Sequence, residues 1–73
     1  MKFRPLDIVV LTRDLPEHGL RSGDVGTVVH IFAGDAVEVE FVRASGRTHV
    51  LPTLPESDLR AAEDRDLVAL RIL

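Results

Sequence analysis

The sequence predicts an all-β domain, a small barrel of short strands, on three observations. β-Branched runs recur at residues 7–12, 25–32, 37–41 and 47–51, each set off by residues that reverse the chain. Val37-Glu38-Val39-Glu40-Phe41 alternates apolar and acidic side chains without a break, which is the two-residue period of a half-buried strand. Gly23 and Gly26 stand three apart where a polar loop turns into an apolar run. Glycine permits positive φ and close backbone approach, so a strand there can bend and lie tight against its neighbour.

Size and composition bound the rest. Seventy-three residues make one domain, spanning residues 1–73. A chain of this length buries roughly 60% of its unfolded surface, and its core supplies only about 3–5 kcal/mol net. There is no cysteine, so neither a disulfide nor a thiolate metal site adds stability, and a reducing, cytoplasmic setting is expected. The only aromatics are Phe3, Phe32 and Phe41, so the core must be built from Val and Leu. Charged residues follow closely on the first apolar ones, leaving no signal-peptide core, and no apolar run reaches the length of a membrane span. Nine basic side chains stand against twelve acidic ones, a net charge of −3. Phosphate neutralisation calls for a basic excess, so composition argues against nucleic acid as a partner.

Asp7–Thr12 is the first expected strand, with Pro5 before it as an edge marker. Its apolar residues occupy both faces, which calls for a terminal segment over the outer one. Arg13–Ser22 follows as a charged loop broken by Pro16 and Gly19, with Leu15 and Leu20 pinning its ends to the core. Asp14, Glu17 and His18 in this loop have the residue types of a metal or acid–base cluster, but a solvated loop is the simpler reading.

In the second strand, period two puts Thr27, Val29 and Ile31 on one face and Val28, His30 and Phe32 on the other. Val25, Val29 and Ile31 are assigned to the core. Val28 and Phe32 then need cover from elsewhere, which makes them candidates for a contact surface. A bulge at Gly26 would reverse this register. In the third strand, Val37, Val39 and Phe41 point inward. Glu38 and Glu40 lie roughly 6–7 Å apart on its outer face, where nothing separates their pKa values for paired-carboxylate chemistry. Arg47 or His49, on the next strand, is expected to meet one of them. Pro52-Thr53-Leu54-Pro55 should halt that strand, and Pro55–Leu59 reads as one 3-10 turn of the kind that joins the last two strands of small barrels, with Arg60–Asp66 either extending that turn or forming a loop. The chain ends on Leu67-Val68-Ala69-Leu70-Arg71-Ile72-Leu73, an apolar run that must either cover the first two strands or pair with another subunit.

Catalytic signals are missing. Ser22, Ser45 and Ser57 sit in turn-like contexts, outside any nucleophile-elbow motif. His18, His30 and His49 lack metal-ligand spacing, and His30 and His49 meet only if their strands are neighbours. Gly23-Asp24-Val25-Gly26 has neither the lysine of a P-loop nor the length of a dinucleotide fingerprint. The expectation is a non-enzymatic protein with no cofactor and no metal.

The order Val9-Val10-Leu11, loop, Gly23-Asp24-Val25-Gly26-Thr27-Val28-Val29 resembles SH3-like barrels, including the KOW motif of ribosomal and elongation proteins. Together with Leu15-Pro16-Glu17-His18-Gly19-Leu20 and Val37-Glu38-Val39-Glu40-Phe41, it resembles the small bacterial family called domain of unknown function 4926, over about residues 7–59. The resemblance implies an SH3-like five-stranded barrel with one short 3-10 turn near the C-terminus, and brings no activity with it.

Two functions from different classes follow as expectations. The leading one is a small interaction module that binds protein, either a second copy of itself or a neighbour-encoded partner in an antitoxin-like manner. Val28, Phe32, Leu67, Leu70 and Ile72 supply its contact surface. The alternative is a KOW-like module on RNA or the ribosome, with Arg13, Arg21, Arg43 and Arg47 on phosphates. The near balance of charge in Arg13–Ser22 weakens that alternative.

Overall fold

Antiparallel pairing organises the chain. The computed structural model describes residues 2–73, with six strands and one short helix. The strands are β1 (Ile8–Leu11), β2 (Val25–Ile31), β3 (Ala36–Val42), β4 (Thr48–Val50), β5 (Thr53–Pro55) and β6 (Leu59–Ala61); the helix is α1 (Asp64–Val68). They form one sheet in the order β4-β3-β2-β1-β6, and β5 also pairs with β3.

Both β4 and β5 lie on the edge of β3 that β2 leaves open. β4 runs beside Phe41 and Val42, and β5 beside Ala36–Glu38. The single strand expected over residues 47–51 is therefore followed by a second short one on the same edge, which makes six strands where five were expected. Pro52 causes the break, because it has no N–H to donate; its carbonyl instead accepts from the Val39 amide at 3.0 Å. Thr53–Pro55, read from sequence as a stop, pairs with β3 after it. The expected 3-10 turn is present at Glu56–Asp58, and a second lies at Pro16–His18 inside the long loop.

The alternation in β3 reads correctly: Val37, Val39 and Phe41 are fully buried. Val9, Val10 and Leu11 of β1 are buried as well, so both faces of that strand are covered. Leu15 and Leu20 pin the loop as expected, bridging to each other with both side chains in the core. The first half of β2 has the reverse of the register read from sequence: Gly26 and Val28 face the core, Val25 is only partly buried and Val29 is exposed. A bulge then shifts the register between Val28 and His30, not at Gly26. Two successive residues, Val29 and His30, turn outward there, and Ile31 returns to pack on the core. Val28 therefore leaves the candidate contact surface.

One turn carries strain. The Asp7 amide donates to the Arg4 carbonyl at 3.1 Å, closing a turn with Pro5 and Leu6 at its centre. Leu6 has φ +77° and is 79% exposed. A positive φ after proline is the type II pattern, whose third position favours glycine. A leucine there bears the left-handed penalty without packing to offset it. Leu6→Gly is therefore expected to raise stability by about 0.5–1 kcal/mol, after allowing for the looser unfolded chain. A urea midpoint that stays put or falls would show that the turn is not strained.

Candidate functional site

The apolar C-terminal run folds back onto the outer face of its own sheet. Its path is set at both ends by arginine–carboxylate forks. At the near end Arg60, on β6, donates from both terminal nitrogens to the two oxygens of Asp66, each at 2.8 Å. Asp66 also accepts from the Glu63 amide at 2.7 Å, half of a capping box that starts α1. At the far end Arg71 donates from Nε to Asp24 Oδ1 at 2.9 Å and from Nη2 to Asp24 Oδ2 at 2.7 Å. The same Nη2 reaches the Gly19 carbonyl at 3.2 Å.

Asp24 sits at the foot of β2 with its side chain only 3% exposed. Its Oδ2 also accepts from the Arg21 amide at 2.8 Å. Burial pushes this carboxyl up, but the Arg71 hydrogen bonds, the Arg21 amide and the two positive charges outweigh it, so the group titrates below its ordinary value of 3.8. At Asp66 the Arg60 fork, helped by the Glu63 amide, holds the carboxyl far below the usual carboxylate range.

Between these two anchors the tail roofs a cleft of about 210 Å³. Its floor includes Ile8, Thr27 and Val42; its roof includes Leu67, Leu70 and Ile72. The tail thus supplies the cover that the outer apolar positions of the first two strands call for. Its own apolar side chains stay largely in water: Leu70 is 45% exposed and Ile72 67%. Leu67 is half exposed and Val68 almost wholly so.

Of the five residues expected to make a protein contact, Leu67, Leu70 and Ile72 come together around this cleft. Phe32 is exposed but does not line it, and instead stacks edge-on against His30 with ring centroids 4.5 Å apart. The four arginines expected on phosphate are spread out. Arg13 Nε lies 3.0 Å from Asp58 Oδ2 beside the second 3-10 turn, an ionic contact whose N–H is not aligned for a hydrogen bond. Arg43 lines the cleft, and its Nε donates to His49 Nδ1 at 3.3 Å. Arg21 borders a separate hollow beside Asp14 and Leu20, and Arg47 opens the turn into β4.

Neither Glu38 nor Glu40 meets Arg47 or His49 in an ion pair. Glu40 accepts from the Thr48 hydroxyl, and Glu38 lies opposite His30. His49 turns to the loop instead: with Arg43 donating to Nδ1, Nε2 donates to the His18 carbonyl at 2.9 Å. His30 and His49 do not converge, because β3 lies between their strands. Asp14 accepts from the Ser22 amide and closes its own loop. Among the described residues no group of three or more His, Asp or Glu side chains is gathered for a metal ion, and no helix is long and apolar enough to cross a membrane.

Sequence reasoning missed Asp24 and Arg71, the pair that fixes the tail. Arg71 is a single charge inside the otherwise apolar run Leu67–Leu73, which is the available signal that it has a partner. Asp24 closes the polar stretch Arg21-Ser22-Gly23 and carries no such mark. No curated protein and no solved structure matches the chain. The model of the family described as a domain of unknown function, DUF4926, matches residues 6–61, and the chain belongs to that family.

Proposed function

We propose that the chain is a non-catalytic, SH3-like interaction module of the cytoplasm that binds protein, foremost a second copy of itself. The sheet path supports the barrel reading: β5 lies on the far edge of β3, β6 lies beside β1, and one 3-10 turn carries the chain between them. A sheet whose opposite edges are joined by so short a connection has to curl.

The observation that carries the functional reading is the tail. Leu67, Leu70 and Ile72 gather at one cleft and remain exposed although the tail is held down at both ends. A contiguous apolar surface left open by a domain with little core to spare marks an interaction site. The RNA alternative is weaker, because Arg13 is engaged by Asp58, Arg43 by His49, and the net charge is negative.

Leu70→Asp and Ile72→Asp test this. Both positions are exposed enough to accept a carboxylate without loss of the fold, and each change places charge in the surface that a partner would desolvate. Light scattering at tens of micromolar should show the wild type heavier than one chain and each variant as a single folded chain. If both variants match the wild type in mass and stability, this segment is not the contact surface.

A further inference from the structure

The groups that hold the tail all belong to the sheet and the long loop, not to the tail or to α1. Asp24 and the Gly19 carbonyl receive Arg71, and Leu73 packs against the core. Any copy of the tail presents the same guanidinium and the same leucine to them. Building on the self-association reading above, we infer that two copies exchange their tails, each placing residues 70–73 in the other's cleft with Arg71 on the other's Asp24.

Three features support exchange over simple stacking. The Arg60–Asp66 fork ties α1 to its own β6, so the place where the path can diverge is after Val68. Ala69 leaves helical geometry there, at φ −94° and ψ 18°. The recognition is also specific in charge: a nearly buried carboxylate accepts a two-pronged guanidinium, a geometry that lysine does not reproduce. Finally, the tail in its own cleft gains little burial, since Leu70 and Ile72 stay open.

Four residues reach at most roughly 14 Å, so exchanging copies must touch directly. The hinge is flanked by Leu67, Val68 and Leu70, the side chains such a contact would bury. A reciprocal exchange is closed and two-fold, so it stops at a dimer. Within one chain the tail sees its cleft at an effective concentration of the order of millimolar. Exchange therefore grows with protein concentration and draws on the burial around the hinge.

Charge reversal separates the two arrangements. In Asp24→Arg alone and in Arg71→Asp alone, like charges oppose at the cleft whether the tail stays or exchanges. In an equimolar mixture, both clefts find an opposite charge only if each tail crosses to the other chain. Native mass spectrometry should then show a mixed dimer that neither variant forms alone. A mixture that holds only single chains overturns the exchange.

Because Asp24→Arg places a long side chain at a buried position, a second measurement leaves that site untouched. The chain has no cysteine, so Val25→Cys and Ile72→Cys carried on separate chains can form a mixed disulfide at the cleft only in trans. The expected result is a linked pair under mild oxidation, lost when the Ile72→Cys chain also carries Arg71→Gln. No linked pair, or one indifferent to Arg71→Gln, overturns the exchange. Light scattering of the wild type reports self-association separately: a wild-type dimer that fails both tests retains the interaction function and loses tail exchange.

Discussion

Gly26→Ala should lower stability by about 3 kcal/mol, which in a domain of about 3–5 kcal/mol net leaves much of the chain unfolded. Gly26 is in β2 opposite Val9, with β3 close behind it. A Cβ built there lies 2.6 Å from Val39 Cγ1, 2.9 Å from Phe41 Cε1 and 3.0 Å from the Glu40 carbonyl. None of the three can step aside cheaply. Val39 and Phe41 are fully buried, valine is stiff at χ1, and the carbonyl is part of the β2–β3 ladder. Gly23 offers the contrast. It has φ +95° and nothing within 4 Å of a Cβ, so Gly23→Ala meets only the left-handed penalty, about 1 kcal/mol.

Urea denaturation of the two alanine variants should therefore rank Gly26→Ala as clearly the worse. Adding Val39→Ala removes the nearest obstructing atom, so the double variant should lose less than the two single losses together. Equal losses at the two glycines, or strict additivity with Val39→Ala, would show that β3 yields and that close approach is not what the glycine serves.

The two glycines also show where sequence reading works and where it stops. Their spacing marked the turn into β2, and the turn is there, but one supplies conformation and the other supplies space. Only the packed neighbour β3 separates those roles. The clean apolar–acidic alternation of β3 predicted its inward residues because one face has no polar competitor. β2 carries Val28 and Val29 side by side, so period two gives both registers equal support. The choice is made where Gly26 lies tight against Val39 and Phe41 of β3, which turns Val28 inward, and the later bulge lets Ile31 rejoin the core. β6 was hidden for a related reason: Leu59-Arg60-Ala61 has little strand character, and its place is set by backbone pairing with β1. The candidate site was legible in part. The apolar tail stood out as a surplus, whereas its anchor joins residues 47 positions apart, a relation that no local pattern contains.

That anchor carries the second large effect. Asp24→Ala should lower stability at neutral pH by about 2 kcal/mol, because it removes the acceptor for both the Arg21 amide and the Arg71 fork. The loss falls short of the 3–5 kcal/mol typical of a broken, fully buried pair, since Arg71 keeps about a third of its side chain in water and can be solvated when released. The pH dependence has a definite sign. The folded-state pKa of Asp24 is lowered from 3.8, so the unfolded chain takes up its proton first on acidification. The stabilisation is complete above the usual carboxylate range and drains away as pH drops below about 4 toward the lowered folded value. Wild type and Asp24→Ala should accordingly differ most at pH 7, and the gap between them should narrow as pH falls below about 4. Both should keep some acid sensitivity, because Asp66 is lowered as well. Urea midpoints at pH 7 and pH 3 decide it. A gap as large at pH 3 as at pH 7 would mean that Asp24 contributes by filling space and not by charge. A gap that narrows on acidification would make its carboxylate the latch of the tail, and residues 70–73 should then lose amide-exchange protection in the variant at neutral pH and in the wild type in acid.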